Sequence, residues 1–280
     1  MNTFKRYNKA IWFSAGWFVL FIMMQVFYMI VAFIFKIITD VDYLLAVQNL
    51  LQQAINGNTN DLFNVYVEIV GSITSYLEIF LTIGVSGLLI IDREFHEYRF
   101  AFNKIKIPDI PEFISIGILM NILSTLFIGM FSTSTLEETG YDTTLMLQGG
   151  FIGILIGVGI CAPICEEITF RYFIYHNLNR GNQVLAIIVS SALFGIAHGN
   201  LLQGMYAFTF GIVFVMINIK YNSIIPGIIM HISVNSLSII LLSVEDYITQ
   251  LLAMLLIFVI SLIPTSIRIA QKVINHEEIL

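Results

Sequence analysis

From Ala10 to Phe35 the chain carries no charge, and the stretch from Gly149 to Ile164 is equally uncharged. A hydrocarbon core about 30 Å thick takes roughly 20 apolar residues to cross as a helix, so each run is long enough to span or nearly span a bilayer. Further apolar runs of this kind recur along the 280 residues. Hydrophobic residues make up 58% of the chain and charged residues 11%, against roughly a quarter charged in a soluble domain; mean hydropathy is +0.87. The alternating short segments of a membrane β-barrel are absent. The reading is an all-α, polytopic membrane helical bundle of about eight transmembrane helices, with residues 1–280 as a single membrane domain. The basic residues Lys5, Arg6 and Lys9 precede a run too long for a signal-peptide core, which reads as a retained first helix.

The spans fall at about 11–35, 62–91, 112–132, 145–170 with an extension toward 178, 184–198, 202–219, 224–243 and 247–267. With the N-terminus in the cytoplasm, 12 of the 13 basic residues fall on the cytoplasmic side and only Lys36 on the other. The outer side then holds Asp40, Asp42, Asp61, Glu137, Glu138, Asp142, Glu245 and Asp246. That bias sets the orientation, and an even number of spans returns the C-terminus to the cytoplasm. Gly149, Gly153 and Gly157 form a stripe that lets a neighbouring helix approach closely. Cys161 and Cys165 share one face and read as packing residues. Pro163 is expected to loosen its helix and free a carbonyl near the acids that follow.

Those acids are Glu166 and Glu167, side by side in an apolar helix, with Arg171 four residues on. Charged side chains at bilayer depth are costly and by default mark function, and two adjacent acids resist joint ionisation. Glu167 and Arg171 share a helix face and can pair; Glu166, about 100° around the helix, is then the less compensated acid. His198 follows Phe194 at the same spacing, and His231 precedes Asn235 by four.

Helical rise puts these groups at one depth. Glu166 lies about 18 Å above the turn near Leu178, and His198 about 22 Å above Gln183. His231 and Asn235 lie about 16 and 22 Å above Lys220. Taken singly, a membrane histidine packs by hydrogen bonding, a His–Asn pair joins helices and a Glu–Arg pair is structural. Brought to one layer on three helices, they point to a functional cavity. Glu78, deep in the second span, is a further acid to which the sequence assigns no role.

Glu166-Glu167-x-x-x-Arg171, then Phe194-x-x-x-His198, then His231-x-x-x-Asn235, in that order on apolar helices, resembles the CAAX-protease and bacteriocin-processing (CPBP, or Abi) family of intramembrane proteases. The motif-bearing core runs over residues 149–242. The resemblance implies a metal-dependent or glutamate-based endopeptidase that cleaves a peptide bond of a membrane-associated peptide or protein. Glu166 would be the general base that activates water, and His198 would help to hold that water or a metal. Glu167 with Arg171 would orient and balance the acid pair, and His231 and Asn235 would bind a metal or stabilise the oxyanion. The His-Glu-x-x-His pattern of zincins is missing, yet two imidazoles and a carboxylate can make a three-ligand zinc site with an open position. A divalent metal, zinc first, is therefore expected on Glu166, His198 and His231.

Two other classes compete. A proton-coupled transporter would also bury Glu and His, but it usually repeats its polar helices in both halves, and here none of the motifs lies before Met120. A non-catalytic partner, such as a bacteriocin-immunity protein, would keep its function without Glu166. Prenylated substrates would imply a eukaryotic setting, and peptide maturation or self-immunity a bacterial one. The absence of extra domains favours a bacterial plasma membrane, with lipid and a peptide or protein substrate as partners and no nucleic acid. The charge bias makes the orientation testable. A cysteine introduced as Gly140→Cys should react with an impermeant maleimide from outside and one introduced as Lys104→Cys should not; the reverse pattern would invert the topology.

Overall fold

The computed structural model describes residues 3–56, 59–95, 102–131, 150–244 and 246–274. Among them are nine helices: α1 (Thr3–Thr39), α2 (Val41–Asn56), α3 (Thr59–Phe95), α4 (Ile110–Ile128), α5 (Phe151–Asn179), α6 (Gln183–Ala197), α7 (Leu201–Tyr221), α8 (Ile225–Leu242) and α9 (Tyr247–Ile274). The protein is a polytopic helical bundle. Seven helices, all except α2 and α6, are long and apolar enough to cross a membrane. The eighth expected span is α6. Its 15 residues rise only about 22 Å, short of a full hydrocarbon core. The chain turns back at Gly199, whose φ of +67° lies in the left-handed region, where a residue without Cβ has no steric penalty. Asn200 Oδ1 then accepts the Gln203 N–H at 2.9 Å and caps α7.

α2 was not among the expected spans. Its sequence alternates apolar side chains with Gln48, Asn49, Gln52 and Gln53, so no hydropathy window marks it. Its apolar face is nonetheless used: Tyr43 and Val47 pack with Ala32 of α1 and Ile73 of α3. The outer acidic segment Glu137–Asp142, the expected start of the fourth span near 145, and Gly149 lie outside the described residues.

α5 carries the acids and is not a uniform α-helix. Leu155–Cys161 and Ile168–Tyr175 are π-helical, with Ala162–Glu167 α-helical between them. Such wide turns recur at functional sites. Pro163 has no N–H, so the carbonyls four and five residues before it, Gly159 and Val158, lose a donor. Both are satisfied from α8: Asn235 Nδ2 donates to Val158 O at 3.0 Å and Ser236 Oγ to Gly159 O at 3.3 Å. Cys161 O accepts from Thr82 Oγ1 of α3 at 2.8 Å. The freed carbonyls thus face α8, one to two turns before the acids, and fasten α5 to its neighbours. In a medium without water every such group needs a protein partner.

The glycine stripe packs on α3. A side-chain carbon on Gly157 would lie 2.7 Å from Ser75 Cα and 2.8 Å from its carbonyl oxygen, whereas one on Gly153 would lie 3.5 Å from Ser75 Oγ. The first is a collision with backbone and the second an ordinary contact. Gly157→Ala should therefore cost about 1–3 kcal/mol through overpacking, and Gly153→Ala should be tolerated. Thermal unfolding of the two variants in one detergent checks this; equal melting temperatures would show that α3 and α5 can separate freely.

Candidate active site

Three helices bring the polar groups together. α5 supplies Glu166, Glu167 and Arg171; α6 ends at His198; α8 supplies His231 and Asn235. Glu167 and Arg171 are the most deeply buried pair, with side chains 0% and 1% exposed and Arg171 Nε 3.2 Å from Glu167 Oε2. The charge bias had counted Arg171 among the cytoplasmic basic residues. The structure instead puts it inside the bundle, with its guanidinium 4.4 Å from the Phe194 ring centroid and 5.5 Å from that of Phe214. Its Nη2 donates to Gly211 O at 3.4 Å.

His231 bridges the two acids. Its Nδ1 lies 3.4 Å from Glu167 Oε1 and its Nε2 lies 3.5 Å from Glu166 Oε2. The ring stacks on Phe214 at 5.0 Å and meets the edge of Phe194 at 5.5 Å, so its plane is fixed from two sides. Arg171 pairs with Glu167, and His231 stands between the acids with one ring nitrogen toward each.

Glu166 differs from Glu167 in access. Its side chain is 21% exposed, against 0% for its neighbour. Half-buried His198 and Asn235 also keep surface here. His198 Nδ1 lies 2.8 Å from Phe194 O; a carbonyl can only accept, so this nitrogen carries the hydrogen and Nε2 is left as an acceptor. Among the described residues no hydrogen bond or ion pair joins His198 to the acids or to His231. Both imidazoles pack on Phe194, whose ring centroid lies 4.9 Å from that of His198 and 5.5 Å from that of His231. Half-buried Glu78 on α3 is an electrostatic neighbour of Glu166 and of both cysteines, which are free thiols.

Asn218 belongs to this arrangement and was missed from sequence. Asn218 of α7 donates from Nδ2 to Glu167 Oε2 at 3.5 Å and accepts the Gly227 N–H at 2.8 Å. The signal available was an isolated amide near the end of an otherwise apolar helix. The fit to a metal is poor: among the described residues no group of three or more His, Cys, Asp or Glu side chains could hold an ion. Glu166 and His231 approach each other, and both imidazoles lie against the Phe194 ring.

Residues 148–237 match a family model described as type II CAAX prenyl endopeptidase Rce1-like. The motif-bearing segment is therefore similar to that family. The match runs from just before α5 into α8 and includes all seven motif residues, Glu166 through Asn235. It leaves α1–α4 and α9 outside and supports a CAAX-type intramembrane protease family for the matched third. No match was found among curated proteins or among solved structures.

Proposed function

We propose that the protein is an intramembrane endopeptidase in which Glu166 activates water against a peptide bond of a membrane-associated peptide or protein. The observation that carries this reading is the unequal treatment of two adjacent acids. Glu167 is sealed and ion-paired, while Glu166 has surface and stands beside an imidazole fixed by its neighbours.

The roles follow from what each group can donate or accept. Glu166 takes one proton of a water molecule, and the acceptor Nε2 of His198 holds its other hydrogen. The water oxygen attacks the scissile carbonyl, giving a tetrahedral intermediate. Asn235, with one amide hydrogen on Val158 O, has a second for the developing oxyanion. Glu166 then returns its proton to the leaving nitrogen as the C–N bond breaks, acting as base and then acid. Glu167 orients His231, as the buried acid of a catalytic triad orients its imidazole. The setting that fits is a plasma membrane with the N-terminus cytoplasmic, and the Rce1-like match makes a prenylated C-terminal peptide the first substrate class to try.

Glu166→Gln keeps the shape and removes the base. It should abolish turnover, leaving folding and detergent stability near wild type. Membrane peptides compared between wild-type cells and a Glu166→Gln strain would list the substrates; identical peptide profiles, or full turnover by the folded variant, would remove Glu166 as the base and favour a binding role.

The zinc expectation has one supporting observation, the pinned Nδ1 of His198, since a ligating imidazole commonly fixes its other nitrogen on a carbonyl. Supplied there, a divalent ion would polarise the water or the scissile carbonyl, with Glu166, His198 and His231 as its ligands. Because these three are not gathered, exhaustive chelation should leave turnover intact. Loss of activity that zinc restores would assign the ion to them.

A further inference from the structure

We infer that Asn218 of α7 is a positioning residue of the acid pair: it holds Glu167, and through Glu167 the imidazole of His231, against the reactive Glu166. The inference rests on the proteolytic reading above and adds a residue that lies in none of the three motifs.

The orientation of the Asn218 amide is decided by its neighbours. A backbone N–H can only donate, so the atom 2.8 Å from Gly227 N is Oδ1. The other end, Nδ2, must then face Glu167 Oε2, where it stands at 3.5 Å. The side chain is 1% exposed, so no solvent competes for either end. Gly227 lies in the first turn of α8, where backbone N–H groups have no acceptor in their own helix. One amide therefore closes an orphan donor of α8 and a lone pair of a buried carboxylate.

Gly227 shows how tight the junction is. A Cβ there would lie 2.6 Å from Asn218 Nδ2, 2.7 Å from Glu167 Oε2 and 2.9 Å from Asn218 Oδ1. The carboxylate thus rests against the start of α8, where the helix dipole favours negative charge. One turn further along α8, His231 reaches back to the other carboxylate oxygen. Glu167 Oε2 is shared by Arg171 and Asn218, and Oε1 faces His231. Without the amide hydrogen, Arg171 alone holds Oε2, and the carboxylate is free to swing on the guanidinium, carrying the His231 contact with it.

Asn218→Asp separates positioning from capping. Asp keeps the size and the acceptor for Gly227 N–H but turns an oxygen toward Glu167. A purely structural cap predicts that Asn218→Asp behaves as wild type and Asn218→Ala is unstable. Positioning predicts that Asn218→Asp stays folded and loses kcat roughly 10- to 100-fold, the range of a lost hydrogen bond to a charge, with KM unchanged because Asn218 lies behind Glu167. The probe is a quenched-fluorescent farnesylated CAAX peptide or a peptide found by the Glu166→Gln comparison. Wild-type kcat for Asn218→Asp overturns the inference while leaving the protease reading intact; no cleavage by wild type and no peptide change overturns that reading instead. A double-mutant cycle of Asn218→Asp with Glu167→Gln, read by thermal unfolding, stands apart from activity. Coupling is expected, since Gln supplies an amide hydrogen to the new carboxylate. Strict additivity would show that Asn218 and Glu167 do not interact.

Discussion

A carboxylate and a guanidinium buried together inside a membrane bundle set the conditions for everything around them. Neither Glu167 nor Arg171 has measurable contact with the outside, and taking such groups out of water costs several kcal/mol per ion. The ion pair alone does not offset that cost; hydrogen bonds to the remaining lone pairs and protons must complete it. Here Gly211 O, Asn218 and His231 meet the pair from α7 and α8, and two aromatic faces cover the guanidinium. Removing one partner of a pair so placed costs about 3–5 kcal/mol. The same contacts that make the pair tolerable therefore fix three helices relative to one another.

The second constraint is the backbone of α5. A proline one turn before the acids and π-helical turns on both sides of them leave carbonyls that hydrocarbon cannot satisfy. α8 answers with Asn235 and Ser236, and α3 with Thr82. Asn235 is held to Val158 O, so its substitution would disturb helix packing as well as the chemistry proposed for its second amide hydrogen. Irregular backbone and polar side chains here are one network, and the crevice at Glu166 lies beside it.

Much of this was legible in the sequence because the bilayer imposes a length. Uncharged runs of the right size located the helices, and fourfold spacing marked the Glu167–Arg171 and His231–Asn235 faces. Where the rule of length fails, so did the reading. α6 is too short to span, and only its bend at Gly199 explains how His198 is reached. α2 has an amphipathic pattern that no window for spans detects. The Glu167–Arg171 pair was legible from its spacing, but the full burial of Arg171 depends on Phe194 and Phe214 from other helices. Asn218 was illegible for a similar reason. Its importance arises from closeness to Gly227 and Glu167, and nothing in α7 alone specifies that.

Two glutamates stand in sequence because adjacency on a helix is a way to obtain opposite environments from one backbone. Successive side chains project about 100° apart, so one acid can face a packed core while the next faces a crevice, at nearly the same height. The buried member needs a fixed countercharge, which Arg171 supplies one turn away on its own face. The exposed member needs the reverse: no fixed countercharge, and a neighbour able to accept or return a proton. His231 serves both because its two ring nitrogens point in different directions, one to each acid. A single carboxylate could not be both anchored by Arg171 and free to take a proton from water. The proposed division of duties between Glu166 and Glu167 removes that conflict, and the imidazole between them would let the anchored acid set the geometry of the free one.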